Sequence, residues 1–221
     1  MISIQSVKVY NLATAIKSSG ISYDLSPIYD TVEITKHDLK RCNKLSIAGF
    51  GEDKFLRLIN VSFTLTASKY FMSEFDTYHF SERNSQGTLR CFPKYDQPIL
   101  QLITDSHIDA AILDRFKEIL EEYKQEPSEF NRRRFRASFP EGLAIKSKIV
   151  TNYNTLKHMY DQRHNHVLYE WRVFCKRFIK QLPLADLLSL YPNDNKFDNL
   201  DEIIERLSDC YDLANLDIIE N

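Results

Sequence analysis

The chain has 221 residues, 43% of them hydrophobic, which suffices for one large domain or for a domain with a tail. Lysine and arginine total 29 against 31 aspartates and glutamates, so the formal net charge is -2. A general nucleic-acid binder would need a basic surface, so we expect no nucleic-acid partner. No apolar run approaches the roughly 18 residues of a membrane span, and MISIQSVKVY lacks the features of a signal peptide. We therefore expect a cytoplasmic protein that binds no membrane.

The four cysteines lie far apart and form no CxxC pair. This spacing indicates neither a zinc knuckle nor a disulfide framework, and we expect no metal. Buried small hydrophobic residues or inert thiols are the simpler interpretation of Cys42, Cys91, Cys175 and Cys210.

The N-terminal half predicts strands separated by helices. Residues 6–12 place Val7 and Val9 on one face, and VSFTLT at 61–66 alternates between apolar and polar positions, so both stretches predict strands. Between them we predict a helix over 36–48 that ends at the glycines of AGFGED, and a short helix capped by Asp53. Residues 14–35 and 80–96 carry turn-forming residues and predict irregular segments.

The C-terminal half predicts amphipathic helices around one strand. Ser106 begins a capping box for a helix that ends near Gln125, and residues 145–150 predict a partly exposed strand. The basic run NRRRFR at 131–136 is typical of a solvated face. Apolar residues recur at helical spacing from 167 to 182, where Pro183 ends the pattern, and Asn199 would cap a last short helix.

The stretch TNYNTLKHMYDQRHNHVLYEW, residues 151–171, predicts a helix whose apolar stripe runs into Arg163. On an unbroken helix Asn152, Arg163 and Glu170 would fall within roughly 20° of one another. A charge on such a face requires a partner: Glu170, another subunit or an anionic ligand. A sheltered guanidinium also suits a phosphate or the edge of a pyrimidine, because it donates in a bidentate fork.

The order of these residues resembles the flavin-dependent thymidylate synthases, the ThyX family. RASFP at 136–140, Asn152, Leu156, Arg163 and HVLYEW at 166–171 are similar to the C-terminal half of that family. Residues 53–92 look like its helix, strand, helix and signature loop, so the resemblance covers about 7–183. It is closest to the divergent ThyX-like proteins of phages and low-GC bacteria, which also carry FDTY, here 75–78, and a segment like that of 165–175.

The resemblance implies an α/β fold of the α+β type, with a twisted, mainly antiparallel sheet flanked by helices. It also implies a homotetramer whose sites lie between subunits. We expect a catalytic and nucleotide-binding domain over 1–183 and a C-terminal helical extension of the same domain over 184–221. The expected location is the cytosol of a bacterium or of a phage-infected host.

The resemblance further implies a reaction. Reduced FAD and methylenetetrahydrofolate would convert dUMP to dTMP or a related C5-modified deoxyuridylate, with NADPH as reductant, so no protein nucleophile is needed. Arg163 would be catalytic and contact the uracil ring, while Asn152 would lie against the flavin and Glu170 would support the arginine. The predicted substrate-binding residues are Arg136, Arg163, Ser85, Gly87, Thr88 and Arg90, and the predicted cofactor-binding residues are Tyr78, His79, Asn84, Asn152 and Glu170.

The signature loop departs from the family pattern. The family motif begins R-H-R-x-x-S-x-N. When its asparagine is aligned with Asn84, Thr77, Tyr78, His79 and Glu82 stand in place of arginine, histidine, arginine and serine, so the loop keeps little of the motif's charge. A second hypothesis is therefore a ThyX-like scaffold that binds a nucleotide without transferring a methyl group. A third is a nucleic-acid binder that uses NRRRFR. The classical thymidylate synthase is excluded because it needs a cysteine commonly followed by histidine, and no cysteine here is followed by one.

Overall fold

The computed structural model describes residues 1–23, 33–49, 51–96, 100, 105, 107–188, 200–213 and 218–220. Its centre is an antiparallel sheet with the order β3-β4-β2-β1-β5, in which β6 also pairs with β1. The strands are β1 (Ile2–Tyr10), β2 (Asn60–Ser68), β3 (Glu82–Ser85), β4 (Ala144–Asn152), β5 (Cys210–Leu213) and β6 (Ile218–Glu220). The predicted strands at 61–66 and 145–150 are confirmed as parts of β2 and β4. The predicted strand at 6–12 is confirmed as far as Tyr10, where β1 ends, and Leu12 instead begins a helix.

A bulge in β1 explains why both even and odd positions of this strand reach the core. Ile2 and Ile4 are fully buried, and so are Val7 and Val9. Between them Ser6 adopts a φ of 53°, and the register with β2 shifts between Gln5 and Lys8. One extra residue reverses the alternation of a strand, so both pairs point to the same face.

Helices flank the sheet. They are α1 (Leu12–Ser18), α2 (Lys36–Ala48), α3 (Lys69–Phe75), α4 (Thr88–Cys91), α5 (Ala110–Gln125), α6 (Glu129–Ala137), α7 (Tyr153–Arg163), α8 (Tyr169–Val173) and α9 (Leu200–Arg206). The prediction for α2 is confirmed, and it begins with a capping box between Thr35 and Asp38. The segment 80–96, predicted as irregular, contains β3 and α4.

A second, smaller core lies between α5 and α6 and the segment after α4. Phe92, Phe116, Phe135 and Phe139 are buried there and contact one another edge-on or stacked. The basic run NRRRFR belongs to α6, where Phe135 is the buried member. Ser106 lies outside the described residues, and Asp109 caps α5 instead, since its side chain accepts from the Ala111 N–H.

Asp53 precedes a 3-10 turn, Lys54–Arg57, but its side chain does not cap this turn. It forms a buried ion pair with Lys157 of α7, at 2.8 Å. Lys157 also donates to the carbonyl of Ser46 in α2. The prediction of Asp53 as a cap is wrong because a buried cation competes for its carboxylate, and this pair ties α7 to α2.

The predicted helix over 151–171 is broken. Helix α7 ends at Arg163, and α8 begins only at Tyr169 and continues through a π-helical turn, Phe174–Phe178, and a 3-10 turn, Ile179–Gln181. The guanidinium of Arg172 donates to the carbonyls of His166 and Val167, both at 2.8 Å, which stabilises the turn between the helices. The rotational argument that aligned Arg163 with Glu170 therefore does not hold.

The C-terminal segment returns to the sheet. Within 184–221, where a helical extension was expected, the structure has a 3-10 turn at Ala185–Leu188, helix α9 and the strands β5 and β6. Asn199, the expected cap of α9, lies outside the described residues. Among the helices of the described segments, none is long and apolar enough to cross a membrane.

Candidate active site

Arg163, the last residue of α7, packs beside two aromatic rings that contact each other edge-on, with their centres 5.7 Å apart. Its guanidinium carbon is 5.3 Å from the centre of the Trp171 ring and 5.8 Å from that of Tyr78. Its Nε donates to the Tyr78 hydroxyl at 2.9 Å, and that hydroxyl donates to Gln162 at 2.9 Å. Burial raises the pKa of Tyr78, and the hydrogen bond from Arg163 only partly offsets this rise. Tyr78 therefore stays a neutral phenol beside the arginine.

Glu74 of α3 supplies the negative charge at this position. Its Oε2 accepts from the indole N–H of Trp171 at 2.8 Å and lies 3.3 Å from Nη1 of Arg163. Nη1 is also 2.7 Å from Nε2 of His166. Because a guanidinium only donates, this histidine nitrogen must accept. Within the described residues, Nη2 of Arg163 makes no hydrogen bond and the side chain keeps 22% of its surface exposed, so the two N–H groups of Nη2 remain available, and we call them the free donor edge.

Glu170 does not support Arg163, which corrects the predicted pair. Glu170 is 5% exposed and accepts from the hydroxyl of Tyr70, while the N-terminal ammonium lies 3.5 Å away. Tyr70 and the same ammonium also bond to Asp105, at 3.1 and 3.2 Å. The break at 164–168 turns Glu170 away from α7, so its carboxylate belongs to a separate buried cluster.

Asn152 lies at the other end of α7 and caps it. Its side-chain oxygen accepts from the N–H of Thr155 at 2.9 Å, with the backbone extended at φ -133° and ψ 166°. One end of the side chain thus has a structural role. A contact between Asn152 and a flavin stays a prediction.

The signature loop runs from α3 along the edge of β4. The His79 carbonyl accepts from Thr155, and Ser81 donates to Thr151, so this part of the loop is fastened near the start of α7. The side chain of His79 is exposed, as is that of Asn84 in β3, which pairs with Lys148 of β4. The loop places Tyr78 against Arg163, but it leaves His79 and Asn84 facing outward.

The other predicted substrate-binding residues lie further along the sheet. Ser85 ends β3, where its hydroxyl bonds to that of Ser147 at 2.8 Å, and Gly87 precedes α4, which contains Thr88 and Arg90. Arg136 lies in α6, which packs against α4. Arg90 and Arg136 are exposed, and neither forms an ion pair with a described residue. We call these five residues, Ser85, Gly87, Thr88, Arg90 and Arg136, the anion group.

Ser85, in the anion group, and Asn152, which caps α7, lie at opposite ends of the β3–β4 pair. Ser85 pairs with Ser147, whereas Asn152 is five residues further along β4. At about 3.3 Å per strand residue this corresponds to roughly 16 Å. Arg163 ends α7, and in the part of the chain that the structure describes Tyr78 is the predicted site residue that forms a hydrogen bond with it.

Comparisons with known proteins bear on the fold. A scan of the chain against models of protein families finds no match, and a search of curated proteins finds none either. Among solved structures, thymidylate synthase ThyX from Helicobacter pylori, with FAD and dUMP, matches with a TM-score of 0.64 at 13% identity, over 85% of this chain and 96% of that one. The UMP/dUMP methylase PolB from Streptomyces cacaoi, bound with 5-Br dUMP, matches with a TM-score of 0.59 at 12% identity, over 81% and 89%.

The chain has the ThyX fold. A second Helicobacter pylori ThyX structure, complexed with FAD and dUMP, agrees, with a TM-score of 0.62 at 13% identity over 81% of this chain and 93% of that one. The predicted α+β architecture, an antiparallel sheet flanked by helices, is thereby confirmed. Fold alone does not fix chemistry, so the residue roles inferred from the ThyX resemblance stay predictions.

Two residues that the sequence pattern did not single out for a role complete the surroundings of Arg163. Trp171 was part of the motif that resembles ThyX, and it is the only tryptophan of the chain. Glu74 carried no signal, because it lies 97 residues before the tryptophan that binds it. Two of the cysteines supply no nucleophile: burial raises the pKa of Cys175 to about 12 and that of Cys42 to about 11, so both stay protonated at neutral pH.

Proposed function

We propose that the protein is a ThyX-type enzyme that converts dUMP to dTMP or a related C5-modified deoxyuridylate. It would use FAD as cofactor, with methylenetetrahydrofolate and NADPH as co-substrates. The observation that carries the proposal is Arg163 itself: a half-buried guanidinium packed against two aromatic rings, with one donor edge free, in a chain of the ThyX fold. Such an edge can bind a pyrimidine carbonyl and stabilise negative charge that develops on the ring.

The anion group fits the phosphates of a nucleotide or of FAD. Arg90 and Arg136 keep their charges uncompensated by described carboxylates, and Ser85 and Thr88 add hydroxyl donors. At Gly87 an added Cβ would meet only side-chain carbons of Arg90, at 3.8 Å or more, so there is room beside the backbone. When bound, FAD would supply the redox chemistry. The chain would contribute orientation and fixed charges.

We propose a homotetramer in which each site draws on more than one copy. Phe80, in the signature loop, is 78% exposed, and Val150, which pairs with Glu82, is 44% exposed. Exposed apolar side chains of this size are typical of surfaces that a partner covers.

The visible spectrum of the purified protein tests the proposal. We expect a flavin absorbance band, or one that forms on loading with FAD, and a change in that band when dUMP is added. Arg163→Ala should abolish the response to dUMP while the oligomer and the far-UV circular dichroism stay unchanged. Arg163→Lys is the matched variant, since it keeps the charge but not the fork. A colourless protein that cannot be loaded with FAD would sink the proposal.

The second candidate is a ThyX-like nucleotide-binding scaffold without methyl transfer. It is favoured by the signature loop, in which Thr77 and His79 stand where the family motif has arginine. Arg83 of the same loop is neutralised by Asp76 at 2.7 Å. In that case dUMP would still raise the melting temperature of a colourless protein. The absence of both the flavin band and the thermal shift would exclude this candidate too.

A further inference from the structure

We propose that Glu74 is a positioning residue that sets the ligand specificity of Arg163. Its carboxylate would fix the guanidinium and cancel its charge, so that the free donor edge selects a neutral carbonyl and rejects a phosphate. This inference rests on the proposed function and names which end of a pyrimidine nucleotide Arg163 receives.

The geometry holds Glu74 in one place. A single oxygen, Oε2, accepts from the Trp171 indole at 2.8 Å and from Arg163 at 3.3 Å, and it lies 3.8 Å from Nε2 of His166. Trp171 is fully buried, and its ring packs against Phe75, the residue after Glu74, in a stacked arrangement. The indole N–H is therefore fixed in position, and its hydrogen bond holds the carboxylate of Glu74 in place.

The charge balance then decides what Arg163 can bind. With a carboxylate 3.3 Å away, the arginine contributes hydrogen-bond donors without a net positive charge. A phosphate placed at the free edge would be attracted by Arg163 and repelled by Glu74, because the two anions would lie within a few ångströms of each other. A neutral carbonyl oxygen meets the same donors and suffers little repulsion.

The anion group shows the opposite arrangement. Arg90 and Arg136 are exposed and lack a described carboxylate partner, so they offer full positive charge. A nucleotide monophosphate carries a neutral base at one end and an anion at the other. The uncompensated arginines of the anion group thus suit the phosphate of such a ligand. Arg163, paired with Glu74, suits its neutral base.

The test compares dUMP with inorganic phosphate in Glu74→Gln, an isosteric change that keeps an oxygen for the indole of Trp171. The purified protein is titrated by calorimetry, and the emission of Trp171, the only tryptophan, reports events at this position. Glu141→Gln is the matched control, since Glu141 pairs with Lys69 and is 56% exposed. Glu74→Ala is made as well, and circular dichroism checks that each variant is folded.

We expect Glu74→Gln to weaken dUMP binding about tenfold, the loss of one charged hydrogen bond. Glu74→Gln should also gain a phosphate-induced change in Trp171 emission. The double variant Glu74→Gln with Arg163→Ala should lose that change. Glu141→Gln should match the unmodified protein in both. If Glu74→Gln responds to phosphate no more than the unmodified protein does, the inference is overturned. If the unmodified protein does not bind dUMP but Glu74→Gln gains the Arg163-dependent phosphate response, the proposed function fails and the role of Glu74 stands.

Discussion

The buried ion pair between Lys157 and Asp53 provides the sharpest stability prediction. Their side chains are only 4% and 7% exposed, and the nitrogen and oxygen are 2.8 Å apart. Lys157→Met removes the cation and leaves a carboxylate buried without it, together with the carbonyl of Ser46 that Lys157 also binds. Breaking a buried pair from one side typically costs about 3 to 5 kcal/mol. We expect a loss of that size in the free energy of unfolding.

Urea unfolding followed by the emission of Trp171 measures this loss. The matched control is Lys117→Met, whose partner Asp114 is 70% exposed, and we expect it to cost less than about 1 kcal/mol. The double variant Asp53→Leu with Lys157→Met should recover part of the loss, because it removes both buried charges. A cost below about 1 kcal/mol for Lys157→Met alone would refute the argument that this pair is effectively desolvated.

Three further predictions concern a carboxylate, a helix cap and the smaller core. Burial raises the pKa of Asp38, but hydrogen bonds from Thr35 and Arg41 outweigh it and hold the value at about 2, against 3.8 in the unfolded chain. Asp38 thus contributes at most about 2 kcal/mol to the free energy of unfolding, fully present above about pH 4 and lost as the pH falls towards 2. Asp38→Asn should therefore reduce the slope of the free energy of unfolding against pH in that window, and an unchanged slope would contradict this. Asn152→Ala should cost about 1 kcal/mol and Asn152→Ser much less, because serine also caps; equal losses by urea unfolding would refute the cap. Phe135→Ala should cost about 3 to 5 kcal/mol, because the side chain is fully buried, and a melting temperature within 2 °C or so of the unmodified protein would contradict that.

The sequence was sufficient where local rules act. Alternation placed β2 and β4, and the spacing of apolar residues together with two glycines placed α2 at its observed bounds. These features depend on neighbours within a few positions. The ThyX resemblance, taken from residue order, anticipated the antiparallel sheet and its flanking helices.

The surroundings of Arg163 could be predicted only in part. The helix was extended across 164–168 because its apolar spacing continues there, whereas the turn depends on contacts of Arg172 with two backbone carbonyls. Tyr78 was placed in the candidate site, but its contact with Arg163 joins residues 85 positions apart. Glu74 was missed for the same reason: a charge partner from another helix leaves no trace in periodicity.

The position of Ser85 relative to the start of α7 also has a physical cause. The β3–β4 pair is antiparallel and extended, so the residues from Glu82 to Ser85 lie progressively further from Asn152, at about 3.3 Å per position. Sequence order alone suggested one continuous site. The register of β3 against β4, which sequence spacing does not specify here, decides which residues of the segment lie near the start of α7.

The most direct measurement of the central claim is a single turnover without oxygen. The protein is loaded with FAD, the flavin is reduced, and methylenetetrahydrofolate is added with or without dUMP while the flavin absorbance is followed. We predict that the flavin is reoxidised only when dUMP is present, and that a C5-modified deoxyuridylate forms in the same amount. A reduced flavin that stays reduced with both substrates present, or a product that forms without loss of flavin electrons, would contradict the account.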